Sequence, residues 1–97
     1  MIQIQVISKE GSSLKPDIRT AIQEGKIRTF QVIQVKGGLK IQHTKHLGSI
    51  KLTQEGNILS AKVTCHNKRK EWQIFESFIG RLAYHFKDDI VAINIQF

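Results

Sequence analysis

The sequence contains few of the residues that mark several classes of protein. Cys65 is the only cysteine among 97 residues, so no disulfide can form within the chain. One proline and seven glycines exclude a proline-rich linker and a collagen-like repeat. No apolar run approaches the about 20 residues that a membrane-spanning helix needs. We therefore expect a cytoplasmic protein that does not enter a membrane.

The first residues also lack the features of a signal peptide. Residues 1–8 alternate apolar and polar side chains, without a basic segment or a continuous apolar segment. A composition of 40% hydrophobic and 24% charged residues is ordinary for a globular protein and argues against disorder. At this length we expect residues 1–97 to form a single domain with one core.

Acidic residues are scarce in the middle of a chain whose formal net charge is +7. Residues 26–70 contain ten basic residues, but Glu55 is their only acidic residue. The two flanking segments together contain five basic and seven acidic residues. This asymmetry indicates a polyanionic partner. Alternatively, the lysines only keep strands soluble and protect the edges of a sheet.

Apolar alternation with a period of two predicts most of the secondary structure. The predicted strands are residues 2–7, 27–36, 39–44, 50–53, 58–65 and 91–97. The alternation slips near Val32 and Ile33, which predicts a bulge, and Gly37-Gly38 suits a two-residue hairpin turn. In the last strand we expect four side chains to face inward: Val91, Ile93, Ile95 and Phe97.

Two segments have helical signals. Pro16 suits the first position of a helix over residues 16–24, and Gly25 suits its left-handed end. A helical period covers residues 68–87, with Asn67 as the N-cap. The stripe expected to face the sheet consists of Trp72, Phe75, Ile79, Leu82, Ala83 and Phe86. Because glycine costs about 1 kcal/mol inside a helix, we expect Gly80 to pack closely against the sheet.

The predicted order is therefore β-α-β-β-β-β-α-β. Helices that flank a run of hairpins predict an α+β fold, a two-layer sandwich. Its largely antiparallel sheet of about five or six strands carries both helices on one face.

The predicted strands expose no aromatic ring. Their outward positions are Lys40, Gln42, Thr44, Lys51, Thr53, Ser60, Lys62 and Thr64. Five of the seven aromatic residues instead lie in the last helix, where we expect them to be core residues: Trp72, Phe75, Phe78, Tyr84 and Phe86. Domains that read single strands stack bases on rings of the sheet face, so this pattern disfavours a base-stacking platform.

The outward lysines and hydroxyls suit phosphate oxygens. We predict a non-enzymatic module that binds the backbone of DNA or RNA through Lys40, Lys51 and Lys62, without a cofactor. A second contact is predicted where the last helix begins, at Lys68, Arg69 and Lys70. That run is alternatively a solvated turn. A different function for the whole chain is docking of an acidic protein, or homodimerisation through a strand edge.

The histidines and the cysteine raise two further hypotheses, a ribonuclease site and a zinc site. A small metal-independent ribonuclease would use His46 or His66 as a general acid or base, but no motif specifies that geometry, so we assign no catalytic residue. Zinc accepts the donor types of His43, His46, Cys65 and His66. Neighbouring residues of a strand point to opposite faces, however, so at most three donors converge and we predict no metal site. Cys65 is expected to be an inert core thiol.

Overall fold

The computed structural model describes residues 1–97, and it has six strands in one antiparallel sheet. The elements are β1 (Ile2–Ser8), α1 (Leu14–Gln23), β2 (Phe30–Gln34), β3 (Leu39–His43), β4 (Ser49–Glu55), β5 (Ile58–Thr64), α2 (Lys68–Phe86), a 3-10 turn (Lys87–Asp89) and β6 (Ile90–Gln96). The strand order across the sheet is β2-β3-β4-β5-β1-β6. These observations confirm the predicted α+β class and element order.

Nineteen buried apolar residues from the sheet and both helices form one cluster. The cluster lies on a single face of the sheet because the alternating strands turn their apolar side chains the same way. In β3, for example, Leu39 and Ile41 are buried and Lys40 is not. The opposite face carries no helix, and it is called the open face below. Neither helix has the length and hydropathy required to cross a membrane.

The first helix begins earlier than predicted. It starts at Leu14, so Pro16 occupies the third helical position rather than the first. Proline is tolerated there because the first four N–H groups of a helix have no acceptor within it. The amide oxygen of Gln54 on β4 accepts from the N–H of Lys15 at 3.2 Å. Gly25 ends the helix with φ +80°, which confirms the predicted left-handed position.

The hairpin between β2 and β3 contains both predicted glycines, but four residues, 35–38, separate its strands instead of two. Gly37 and Gly38 have φ of +77° and +120°, values that other residues rarely adopt. The register of β2 shifts between Val32 and Gln34, which confirms the predicted bulge. The strand is nevertheless shorter than predicted, since only residues 30–34 pair.

The second helix buries a different stripe from the one predicted. Its buried apolar residues are Ile74, Phe75, Phe78 and Leu82, whereas Trp72, Ala83 and Tyr84 are exposed. The helix is therefore rotated relative to the predicted orientation, with Ile79 and Phe86 half-buried at its flank. Its start was predicted correctly, since the Asn67 side chain accepts from the N–H groups of Arg69 and Lys70.

The prediction for Gly80 was wrong. A Cβ at this position would meet nothing within 4 Å, so the residue faces open space rather than the sheet. The close approach occurs at Gly48 instead. A Cβ there would clash with Cδ1 of Ile74 and lie 3.0 Å from the carbonyl oxygen of Thr64. Only glycine therefore lets the chain pass beneath α2 at the start of β4.

Candidate functional site

Lys40, Lys51 and Lys62 lie in one row on the open face, called the lysine row below. Lys40 on β3 is directly opposite Lys51 on β4, and Lys51 is directly opposite Lys62 on β5. Strand alternation puts the three lysines on one face. The β3–β4 and β4–β5 hairpins then place each lysine opposite the next. Neighbouring strands lie about 4.8 Å apart, so the backbones of the outer two lysines are about 10 Å apart.

The lysine row lies in the interior of the sheet. The edge strands are β2 and β6, whereas the three lysines occupy β3, β4 and β5. Protection of a sheet edge therefore does not explain them. Like charges directly opposite one another in a sheet are destabilising. The row is thus a cost to folding that these central strands carry.

The surroundings of the row are polar and neutral. The row continues with Gln34 on one side and with Gln3 and Gln96 on the other, so one line across all six strands contains no acidic residue. A shallow depression of about 230 Å³ adjoins Lys62, between β5, β1 and β6. The polar side chains that line it with Lys62 are Gln3, Gln5, Ser60, Asn94 and Gln96. Amides and hydroxyls there can donate to anionic oxygens beside the lysines.

The second predicted group of basic residues lies elsewhere. Lys68, Arg69 and Lys70 form the exposed first turn of α2, in the helical layer and just beyond the end of β5. The lysine row is on the other face. The N-cap Asn67 already occupies two N–H groups of this helix end, so fewer of them are free for an anion. The two basic groups are therefore separate surfaces.

Two histidines, His43 and His46, lie close together at the end of the sheet opposite the β2–β3 hairpin. The ring centroids of His43 and His46 are 4.6 Å apart. His43 is buried, and its Nδ1 accepts from the backbone N–H of Lys45 at 3.0 Å. Its Nε2 lies 3.4 Å from Oγ of Ser77 on α2. Burial lowers the pKa of His43 below its usual 6.5, and the charges of His46 and Lys45 lower it further.

The hydrogen bonds of His43 determine whether it can act as a base toward Ser77. Because Nδ1 of the neutral His43 ring accepts a hydrogen bond, Nε2 carries the proton and donates to Ser77. His43 in this tautomer cannot remove a proton from the Ser77 hydroxyl, so the two do not form an activated nucleophile. The His66 ring takes no part in this pair. The structure therefore brings His46 next to His43 rather than next to His66.

The thiol of Cys65 is hydrogen-bonded and contacts the edge of the core. Its Sγ donates to the carbonyl oxygen of Leu47 at 2.9 Å, and the residue packs partly against the core. No group of three or more histidine, cysteine or acidic side chains is close enough to hold a metal ion.

Sequence reasoning missed the residues that surround His43. Arg28, Thr29 and Ser77 are distant from it in the chain, and only the pairing of β2 with β3 and the position of α2 bring them together. One available signal was the alternation of Leu39, Ile41 and His43, which places the imidazole on the buried face.

Comparison with protein-family models, curated proteins and solved structures finds no match to this chain.

Proposed function

We propose that this protein binds the sugar-phosphate backbone of nucleic acid, without catalysis, through the lysine row on its open face. The observation that carries the proposal is the direct opposition of Lys40, Lys51 and Lys62 on three interior strands. Edge protection does not explain this arrangement, and each pair of like charges costs the sheet stability. A bound polyanion would neutralise all three charges at once.

The dimensions of the row support the proposal. One strand of B-DNA has a phosphate about every 3.4 Å along the helix axis, so about 10 Å of duplex carries about three phosphates per strand. The lysine row has a similar length. Its long, flexible side chains can adjust to the exact positions of the phosphates.

The open face supports backbone binding rather than base recognition. It has no aromatic ring, because the rings of the chain lie in the core or on the helical side. Bases therefore have no surface on which to stack. Lysine, glutamine and hydroxyl contacts to phosphate position a ligand but carry little sequence information. We infer binding with weak sequence preference.

The basic run Lys68, Arg69 and Lys70 is a separate surface, and we propose it as a second contact for a ligand long enough to extend past the end of β5. Its three charges are exposed, and only Glu71 in that first turn is acidic. Glu71 is itself paired with the amino terminus at 3.2 Å. We also propose a cytoplasmic location, which the free thiol of Cys65 supports.

A titration with four ligands tests the proposal: single- and double-stranded DNA and RNA, each at two salt concentrations. We expect binding that weakens steeply as salt rises and differs little between unrelated sequences. No binding of any of the four at low salt would refute the proposal. Selective binding of one acidic protein would then favour a protein-docking function.

A specific observation also favours homodimerisation as a second candidate. The edge strand β6 has seven residues and contains no charged residue and no proline. Natural edge strands usually carry such features to prevent pairing with another chain. Three apolar side chains of the predicted inward set remain exposed on this strand or just after it: Val91 (65%), Ile95 (42%) and Phe97 (73%). Val91 lies where the pairing of β6 with β1 shifts register, and the Phe97 ring stacks on Trp72 of α2 although most of it is exposed. The predicted inward direction is therefore right for Ile95, which pairs with the buried Ile4, and wrong for Val91.

Antiparallel pairing of β6 with its copy would bury this edge and join two sheets into one of twelve strands. Both open faces would then lie on the same side, with the two Lys62 residues about 24 Å apart across the strands. The dimer is therefore compatible with nucleic-acid binding. Sedimentation equilibrium tests it: we expect a dimer that becomes a monomer when Ile95 is changed to Lys. A monomeric wild-type protein at high concentration would refute this candidate.

A further inference from the structure

A second polar depression lies on the helical side of the sheet, where β2 and β3 meet α2. It has a volume of about 460 Å³ and no apolar residue in its lining. The lining residues are Arg28, Thr29, His43, Thr44, Lys45, His46 and Ser77. None of them carries a carboxylate. The depression therefore offers only cationic groups, imidazoles and hydroxyls.

The cations of this depression have no acidic partner. The two ion pairs of the protein join Met1 to Glu71 and Lys26 to Glu24. Arg28 and Lys45 belong to neither pair. The lowered pKa of His43 reports the same excess of positive charge, because His46 and Lys45 contribute to it after burial. An anion among these groups would relieve their repulsion.

A chain of hydrogen bonds orients the floor of the depression. The backbone N–H of Lys45 donates to Nδ1 of His43, and Nε2 of that ring donates to Oγ of Ser77. Because Ser77 accepts from His43 and makes no other side-chain hydrogen bond, its hydroxyl proton is free to donate to a ligand. The burial of His43 holds this chain in place.

We propose that this depression binds the phosphate group of a small phosphate monoester, such as a nucleoside monophosphate. Arg28 and Lys45 supply positive charge, the His46 ring supplies a further nitrogen, and Ser77 supplies a hydroxyl donor. These are the groups that recognise phosphate oxygens in proteins. The Thr44 hydroxyl is not available, because it donates to the carbonyl oxygen of Thr29 at 3.1 Å. A divalent metal ion is not the ligand, because the site lacks carboxylates and Nδ1 of His43 is already hydrogen-bonded. The site does not depend on the lysine row, since His43 and Lys40 are on opposite faces of β3.

The test is a titration of the labelled protein followed by NMR, with inorganic phosphate and adenosine monophosphate as separate ligands. We expect saturable shifts of the histidine ring signals of His43 and His46 and of the amide of Lys45. Lys45→Gln should weaken binding about tenfold, because a hydrogen bond to a charged group contributes about 1.5 kcal/mol or more. Lys36→Gln in the β2–β3 hairpin, which removes the same charge, should leave the affinity unchanged.

The two ligands and one further variant distinguish the possible outcomes. Tighter binding of adenosine monophosphate than of phosphate identifies a nucleotide site, and equal affinity identifies a site for phosphate alone. Replacement of the whole lysine row by glutamine should leave both affinities intact. No saturable shift in the wild type, or equal loss in Lys45→Gln and Lys36→Gln, would overturn the proposal. Loss on replacing the lysine row would assign phosphate to the open face instead.

Discussion

Lys51 on β4 and Lys62 on β5 lie directly opposite each other in the interior of the sheet. Lys40 faces Lys51 from the other side, so one lysine has a like charge on both neighbouring strands. Salt bridges do not relieve this repulsion, because neither ion pair of the protein includes these lysines. The arrangement destabilises the free protein, and in the proposed complex phosphates would neutralise the three charges.

Lys51→Glu should therefore separate stability from binding. Two repulsive pairs become attractive, so the free energy of unfolding should rise by about 0.5–2 kcal/mol at low salt. The gain should shrink at high salt, where surface charges are screened. Nucleic-acid affinity should fall at the same time. Urea titration and a binding assay on the same sample measure both effects.

Lys36→Glu is the matched control for this substitution, because it makes the same charge change in the exposed hairpin. Its effect on stability should stay within about 0.5 kcal/mol. A marked loss of stability in Lys51→Glu would mean that the lysine supports the sheet, which contradicts the account.

Two glycines should respond in opposite directions to replacement by alanine. Gly80→Ala should stabilise the protein by up to about 1 kcal/mol, because the position is helical and open. Gly48→Ala should destabilise it by about 1–3 kcal/mol, because the new methyl group clashes with Ile74 and approaches the backbone of Thr64. Thermal or urea unfolding measures both. Stabilisation by Gly48→Ala would show that α2 lies farther from β4.

Phe75 should be a major contributor to core stability. The residue is buried in α2, and its ring centroid lies 5.9 Å from that of Phe97. Phe75→Ala should reduce the free energy of unfolding by about 3–5 kcal/mol. Tyr84→Ala on the exposed side of the same helix should change it by less than about 0.5 kcal/mol. Similar losses in the two variants would mean that α2 does not pack against the sheet through the face that contains Phe75.

The stability of the fold should depend on pH through His43. Its pKa in the folded protein is below the usual 6.5, because of burial and then of the charges on His46 and Lys45. The unfolded chain therefore binds this proton more readily than the folded one. The contribution to stability is complete above pH 6.5 and is lost as the pH falls below it.

His43→Asn tests this dependence, since the asparagine oxygen can still accept from the N–H of Lys45. Urea titrations between pH 7.5 and 5 should show a flatter profile for the variant than for the wild type. Identical profiles would mean that His43 does not control the pH response.

Local pattern accounts for most of the fold and for part of the site. Alternation alone predicts that Lys40, Lys51 and Lys62 share a face, because this depends only on the period of each strand. Their direct opposition depends on the hairpin registers as well. The pocket around His43 depends on contacts between β3 and α2, which no local pattern encodes.

The errors have physical causes too. Helical periodicity over α2 fits two overlapping stripes, and the exposed side of the helix still carries Trp72 and Tyr84. The sequence does not indicate which stripe the sheet covers. In β6 the pairing with β1 shifts register at Val91, which alternation does not predict. The position of the strand at the edge also leaves the inward Ile95 partly exposed.

The salt dependence of nucleic-acid binding by a lysine-row variant shows whether the row itself contacts phosphates. The variant changes Lys40, Lys51 and Lys62 to Gln, and its control changes Lys9, Lys15 and Lys87 to Gln, with the same net charge. The row variant should flatten the slope of log affinity against log salt on duplex DNA by about 2–3, since each phosphate contact contributes about 0.9. The control should keep nearly the wild-type slope. Equal slopes for the two variants would contradict the account, because binding would then follow net charge and not the row.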